Sequence, residues 1–335
     1  MENDDPKELR SLADHGGLLY SACIDRDGLS VPIYNNKLPE HRSDKYFYWL
    51  HMCASHQDTR AYLEQHTKID DLVIDALLAD ETRPRTLGRA EGTLLVLRAM
   101  NFMPDCKAED MISLRLWVEP GLVLTTRYRD VLAIEDLKSM IADDVAPCRV
   151  GKFVTAITDR VYSRMEPVLE DLEDRTARLE EHIAKEEIEG VANNASPLRI
   201  KATILRRHIV PQHAALANLI RIKPLWLKEE DVEQLLESED QITRYVESLN
   251  DIRDRLIILN DEIARQNDQQ MSETNYLFAL AATIFLPLTF LTGLLGVNVA
   301  GIPGIENEAA FPVLVLLCVV AVAIQVAYFR KKGWF

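Results

Sequence analysis

Two uncharged stretches close this chain: residues 274–305 hold no Asp, Glu, Lys or Arg, and Ala309 to Phe329 are again free of charge after a short acidic interruption. The hydrocarbon core of a bilayer is about 30 Å thick, and a helix of about 20 apolar residues crosses it. Each stretch is therefore long enough to span, with a tight turn between the two. The competing reading, a pair of core helices in a soluble fold, predicts a polar face on each. Phe311 to Phe329 offers only Gln325 as a strongly polar side chain, so the stretches read as two membrane spans.

Of the 335 residues, roughly 270 precede the first span, enough for a full globular core or two subdomains. A net charge of −15 argues against a nucleic-acid partner, which requires Lys and Arg to displace counterions from phosphates. It suits cations. Cys23, Cys53, Cys106, Cys148 and Cys318 show neither a CxxC pair nor a disulfide-like spacing, which points to a reducing compartment. The opening MENDDPKELR is acidic and lacks an apolar core, so it is no secretory signal and the first span is expected to direct insertion. The link between the spans carries Glu306 and Glu308 but no Lys or Arg, whereas Arg330, Lys331 and Lys332 follow the second span. The positive-inside rule puts that tail in the cytosol, and two crossings put the large N-terminal body there too. Tyr328, Trp334 and Phe335 then sit at the inner interface.

Residues 1–150 read as a cytosolic α/β domain. Strands are expected at Leu18 to Ile24, Tyr46 to Met52, Thr93 to Met100, Met111 to Val118 and Leu122 to Tyr128, with Glu119-Pro120-Gly121 closing a hairpin. Helices are expected at Gln57 to His66, Ile69 to Ala79 and Ile134 to Asp143. The strand order is not legible. Residues 151–227 read as an acidic helical segment, with helices at Lys152 to Glu189 and Pro197 to Ile222 joined by a turn through Val191 to Pro197. No glycine occurs from Val191 to Thr292 and no proline from Leu225 to Leu286, which predicts one continuous helix from near Lys228 to about Gly296, on the order of 100 Å long. Its cytosolic half, 228–273, carries a packing seam at Leu235, Ile242, Val246, Leu249, Ile252, Leu256, Leu259 and Ile263. The first span takes 274–298, a periplasmic loop 299–310, the second span 311–329 and a basic tail 330–335. The fold class is thus an α+β cytosolic domain, α/β layers plus long helices, with a two-helix transmembrane domain. Acidic runs such as Glu170 to Asp174 and Glu229 to Asp240 read first as wet surface. Near the mouth of a pore the same field concentrates cations.

Gly296-Val297-Asn298 ends the first span. The glycine frees the helix terminus, and the amide brings a carbonyl oxygen and an NH2 to the membrane face. Repeated by symmetry, Asn298 becomes a ring of oxygens that accept hydrogen bonds from the waters of a hydrated cation. Taken alone, a C-capping turn accounts for the tripeptide equally well.

A long acidic body, a very long helix entering the first span, Gly-x-Asn at its outer end, a short loop, a second span and a basic tail together resemble the CorA superfamily of divalent-metal transporters. The most specific part is Tyr276 to Gly304. Magnesium members mostly read Gly-Met-Asn with a Met-Pro-Glu-Leu loop. Here Val297 stands in the middle and the loop reads Ile302-Pro303-Gly304-Ile305, which is similar to the ZntB zinc-transporter branch, as is Leu77-Leu78-Ala79-Asp80-Glu81-Thr82-Arg83-Pro84-Arg85. The resemblance implies a funnel-shaped homopentamer in a bacterial inner membrane, with the first span of each copy around a central pore. Its lining positions, counted back from Asn298, are Gly293, Thr289, Leu286, Ala282, Phe278, Asn275 and Met271, which share one helical face. Asn275 and Thr289 make that face polar, while Leu286 and Phe278 form constrictions that gate by dewetting. Thr283, Thr289 and Thr292 have a second reading, a bond to a carbonyl one turn back. Pro287 is expected to bend the span.

The resemblance implies Zn2+ as cargo, with Cd2+ or Ni2+ beside it, and coupling to protons. Between Thr274 and Ile305 no carboxylate, His or Lys is present, so proton-handling groups are expected outside the hydrocarbon. His51, Cys53 and His56 are the best local cluster of zinc-type ligands, although such spacing on a strand edge is more often incidental and structural zinc takes four ligands. His208 and His213, flanking Pro211, rank below them. Asp261 matches a position that holds regulatory ions in magnesium members. No cofactor is expected beyond the transported ion, and no Gly-rich phosphate loop, HExxH or nucleophile elbow suggests an enzyme. The alternatives are a Mg2+ or Co2+ channel gated by cytosolic metal and a membrane-anchored scaffold without transport.

Overall fold

Seven strands form one mixed sheet: β1 (Leu18–Asp25), β2 (Ser30–Val31), β3 (Tyr46–Cys53), β4 (Arg85–Gly88), β5 (Thr93–Ala99), β6 (Ile112–Glu119) and β7 (Leu122–Arg127). Their spatial order is β2-β1-β3-β7-β6-β5-β4. The pairing of β3 with β7 is parallel and the remainder are antiparallel. The computed structural model describes residues 17–31, 45–185, 191–297 and 309–333, and the chain divides into two compact units, Met1–Asn260 and Asp261–Phe335. The five strands legible in the sequence are present. The two missed, β2 and β4, are the outermost and too short to display a period of two. The β6–β7 hairpin turns at Gly121, whose φ of +81° lies where only glycine is unstrained.

Every residue of β6 is buried, because both faces of the sheet are covered. On one face the row Leu50–Leu124–Trp117–Leu94 meets Leu63 of α1 (Thr59–His66) and Val73, Ile74 and Leu77 of α2 (Asp71–Leu78). Asp70 caps α2, accepting from the Leu72 amide at 2.7 Å. On the other face Phe153 of α4 (Val150–Ser163), which follows α3 (Leu132–Ala142), sets its ring 5.7 Å from Phe47 and 5.0 Å from Trp49. The outer strands are held by α6 (Val191–Ile222): Thr86 Oγ1 donates to the Ala215 carbonyl at 2.6 Å, and the Arg98 amide donates to Gln212 Oε1 at 2.8 Å.

Two helical expectations need correction. The helix expected from Lys152 to Glu189 is two, α4 and α5 (Glu166–Ala184), because Pro167 stands in the first turn of α5 and cannot donate back into α4; Glu186, Glu187 and Glu189 lie outside the described residues. The turn expected through Val191 to Pro197 is already helical, and α6 runs through both Pro197 and Pro211. Ala195 and Leu198, buried one turn apart, anchor that segment and offset the lost hydrogen bonds. The long helix is as expected: α7 spans Glu229–Leu295, followed by α8 (Ala310–Lys331).

At the start of α7, Asp231 accepts from the Lys228 amide at 2.9 Å, and its wholly buried carboxylate meets the Arg149 guanidinium. A Cβ on Gly151 would lie 2.0 Å from Asp231 Oδ2, so only glycine fits there. The seam at Leu235, Ile242, Leu249, Ile252 and Leu256 is buried inside the single chain, where Arg255 Nε donates to Glu180 of α5 at 2.7 Å and Arg206 of α6 to Asn250 at 2.6 Å. The seam finds its partners within the chain, on α5 and α6.

Candidate functional site

In the second unit the end of α7 and the whole of α8 are long and apolar enough to cross a membrane, and the chain itself buries none of the most apolar windows. Each helix shows one half-buried stripe, Leu280, Ile284, Leu288 and Leu291 on α7 and Leu314, Cys318, Ala321, Val322, Gln325 and Val326 on α8. These spacings of three and four make a helix pair. A cavity of about 660 Å³ between them is lined by Leu288, Cys318 and Val322 among others.

The expected lining residues stand on the other side of α7. At 3.6 residues per turn, Met271, Asn275, Phe278, Ala282, Leu286, Thr289 and Gly293 centre about 160° from the stripe that meets α8. All seven are exposed, Phe278 by 72% and Leu286 by 69%. A Cβ on Gly293 would meet nothing within 4 Å. Among the described residues nothing covers this face.

Its polar groups differ from their neighbours. Thr283 Oγ1 donates to the Ala279 carbonyl at 2.7 Å and Thr292 Oγ1 to that of Leu288 at 2.9 Å, the back-bonding expected for membrane threonines. Thr289, on the lining face, makes no such bond among the described residues, and neither does the Asn275 amide. In hydrocarbon each unsatisfied group is costly. A lipid tail would satisfy neither group.

Pro287 lies inside α7, and lacking an N–H it leaves the Thr283 carbonyl without its helical donor. Gln325 Nε2 of α8 reaches that carbonyl at 3.5 Å. The one strongly polar side chain of the second span is thereby explained, by a link the sequence displayed only as two separate oddities. The helix ends with the Gly296 amide donating to the Thr292 carbonyl at 2.9 Å, and a Cβ on Gly296 would stand 2.9 Å from that same oxygen. Val297 follows in a bend. Asn298 and the loop through Glu308 lie outside the described residues.

The cytosolic ligand candidates are not drawn together. His51 is fully buried, and both ring nitrogens are engaged, Nδ1 with Thr125 Oγ1 at 2.8 Å and Nε2 accepting from Arg127 Nε at 2.9 Å. Burial first, then Arg127 and Lys138, hold its pKa well below the ordinary histidine value. Cys53 Sγ pairs with Ser55 Oγ at 3.2 Å, and His56 faces Asp58 at 3.8 Å. His213 faces Glu239 at 3.2 Å. Asp261 is exposed on α7. Among the described residues no group of three or more His, Cys, Asp or Glu is placed to hold a metal ion.

A family model described as CorA-like Mg2+ transporter protein matches residues 44–331. The zinc transport protein ZntB of Yersinia enterocolitica is 30% identical over 85% of this chain and 87% of its own. The divalent cation transporter CmaX of Pseudomonas aeruginosa is also 30% identical, over 96% of this chain and 98% of its own. A solved structure of full-length CmaX superposes with a TM-score of 0.80 at 28% identity, covering 96% of this chain and 99% of that one. With its mixed sheet, its long helices and two apolar helices at the C-terminal end, the chain belongs to the CorA-like Mg2+ transporter family.

Proposed function

We propose that several copies of this chain, five by the family resemblance, assemble around an axis in a bacterial inner membrane, with both termini cytoplasmic, and carry Zn2+ along the lining face of α7, with Cd2+ and Ni2+ as further cargo. The observation that carries this reading is the uncovered face holding Asn275 and Thr289 without bonding partners, set opposite the stripe that meets α8. Two helices cannot enclose a water-filled path, so a wet face on one of them calls for further copies. Phe278 and Leu286 on the same face supply apolar constrictions that close by dewetting, and Asn298 supplies the outer ring that reads a hydrated cation.

Zinc is favoured over magnesium by Val297 and Gly304, which replace the methionine and glutamate of the usual magnesium pattern, and by the name of the Yersinia relative, a zinc transport protein. Coupling to protons, if the cargo requires it, runs through groups outside the span, since 274–305 offers no carboxylate, His or Lys. The family description favours a second reading, a Mg2+ channel. Reconstituted vesicles decide between them: zinc and magnesium uptake is measured with and without a proton gradient, for wild type and Asn298→Ala. Zinc uptake that drops in Asn298→Ala is the expected result. Magnesium uptake without zinc uptake refutes the cargo, no flux of either supports a membrane-anchored scaffold, and equal rates for the two proteins remove Asn298 from the mechanism.

A further inference from the structure

The first unit holds a cavity of about 930 Å³ between the α2–β4 loop, β5, β6 and α6. Its lining includes Arg83, Arg98, Arg115, Arg129, Arg207 and His208. In a chain with 53 carboxylates, none of these five arginines forms an ion pair among the described residues. Asp80, Glu81, Glu109 and Asp110 share the lining; Glu81 acts on Arg98 and Asp80 on Arg115 through space, but neither closes to an ion pair.

The two inner arginines are committed to backbone. Arg98 Nη1 donates to the Met111 carbonyl at 2.8 Å and Nη2 to that of Thr82 at 2.6 Å. Arg115 Nη2 donates to the Asp80 carbonyl at 3.1 Å and to that of Ala79, at the C-terminal end of α2, where the helix dipole favours a cation. Carbonyl oxygens orient a guanidinium but do not neutralise it. Arg115 is wholly buried, and its Nε, like that of Arg98, is buried without a hydrogen-bond partner. The Tyr128 ring, 5.0 Å from the Arg115 guanidinium carbon, offsets part of the charge. What remains is felt nearby: burial first, then Arg98 and Arg207, lower the pKa of His208 to about 4, so the imidazole adds no charge of its own at neutral pH.

A buried guanidinium whose nearest carboxylate stops short of an ion pair is only partly compensated. A planar guanidinium matches the oxygens of a tetrahedral anion better than any neutral ligand. We propose that this cavity binds a phosphoryl group, either inorganic phosphate or the phosphate of a small ester, with Arg98 and Arg115 at its floor and Arg83, Arg129 and Arg207 at its rim. The cavity lies in the first unit, and its test does not depend on whether the chain carries zinc.

The test is calorimetric titration of the full chain in detergent with sodium phosphate and, in a second arm, adenosine monophosphate, each against sodium chloride and sodium sulfate at matched ionic strength. Arg115 holds the end of α2, so its loss also disturbs the fold; the informative variants are Arg207→Gln and Arg83→Gln, both exposed. Saturable binding of phosphate or the ester, weakened about tenfold by each rim substitution with unchanged thermal unfolding in the absence of ligand, supports the site. Tighter binding of the ester identifies a phosphate ester as the occupant, and equal binding identifies free phosphate. No saturable binding in either arm, equal response to chloride, or full affinity in the double variant Arg83→Gln/Arg207→Gln overturns it. A change in oligomeric state in that double variant, without phosphate binding, overturns it in favour of carboxylates from a second copy.

Discussion

Replacing Gly293 by leucine separates blockage of the path from damage to the fold. In the chain, a Cβ at Gly293 would meet nothing within 4 Å, so the residue gives up no packing and its first added carbon makes no clash. Glycine within a helix is unfavourable by roughly 0.5–1 kcal/mol relative to good helix formers, so the variant is expected to unfold at the same temperature as wild type or slightly higher. In the proposed assembly every copy would place its leucine at one level of the path, one turn from Thr289 and about one turn inside Gly296. A hydrated divalent ion passes such a level only with its water, and several added isobutyl groups exclude that water. Zinc uptake into vesicles loaded with a zinc-sensitive dye is expected to drop at least tenfold, about 1.4 kcal/mol on the barrier, at equal protein and unchanged Tm. Wild-type uptake by a stable Gly293→Leu protein would refute the assignment of this face.

Gly151→Ala is the opposite case: its Cβ falls 2.0 Å from Asp231 Oδ2, so thermal unfolding of the first unit shifts clearly downward although the residue is far from the spans in sequence. Arg149→Met leaves the buried Asp231 carboxylate without its cation and is expected to destabilise by about 3–5 kcal/mol, read by urea titration. The pKa of folded His51 lies below its unfolded value near 6.5, so its contribution is complete above about pH 6.5 and is lost as pH falls below that; His51→Gln flattens the loss of stability between pH 6.5 and 5, and an unchanged profile contradicts the buried neutral imidazole. Gln325→Leu costs about 0.6 kcal/mol of stability in detergent, and the cost vanishes in a Pro287→Ala background, where the Thr283 carbonyl regains its helical donor; equal costs in both backgrounds sink the proposed link.

What the sequence made legible were features carried by runs and periods. The spans follow from absent charge and α7 from absent Gly and Pro, whereas the lining positions come from the family resemblance, counted back from Gly-x-Asn. Pro167 was overlooked as a break because the acidic helix around it keeps a continuous pattern, with Val168, Leu172, Leu179 and Ile183 all buried. The turn at Val191 to Pro197 was misread because asparagine, serine and proline favour turns locally, whereas burial of Ala195 and Leu198 settles it through packing. Which stripe of α7 meets α8 was hidden, since Leu280, Ile284, Leu288 and Leu291 look no different in sequence from Phe285 or Phe290. Pairings at long separation, Arg149 with Asp231 or Arg115 with the end of α2, are likewise invisible until the fold joins them. Arg115 alone gave a signal, as a charge in the middle of the apolar strand Ile112 to Glu119.

Cysteine accessibility along α7 tests the central claim most directly. In a background with the native cysteines replaced, single cysteines at Asn275, Phe278, Ala282, Leu286, Thr289 and Gly293 are compared with those at Leu280, Ile284, Leu288, Leu291 and Phe290, each in reconstituted protein treated with a charged, membrane-impermeant thiol reagent. The wet-face account predicts labelling of the first set, slowed by zinc, and little or none of the second. Labelling that is even around the helix, or greatest at Ile284 and Leu288 on the stripe that meets α8, would contradict it.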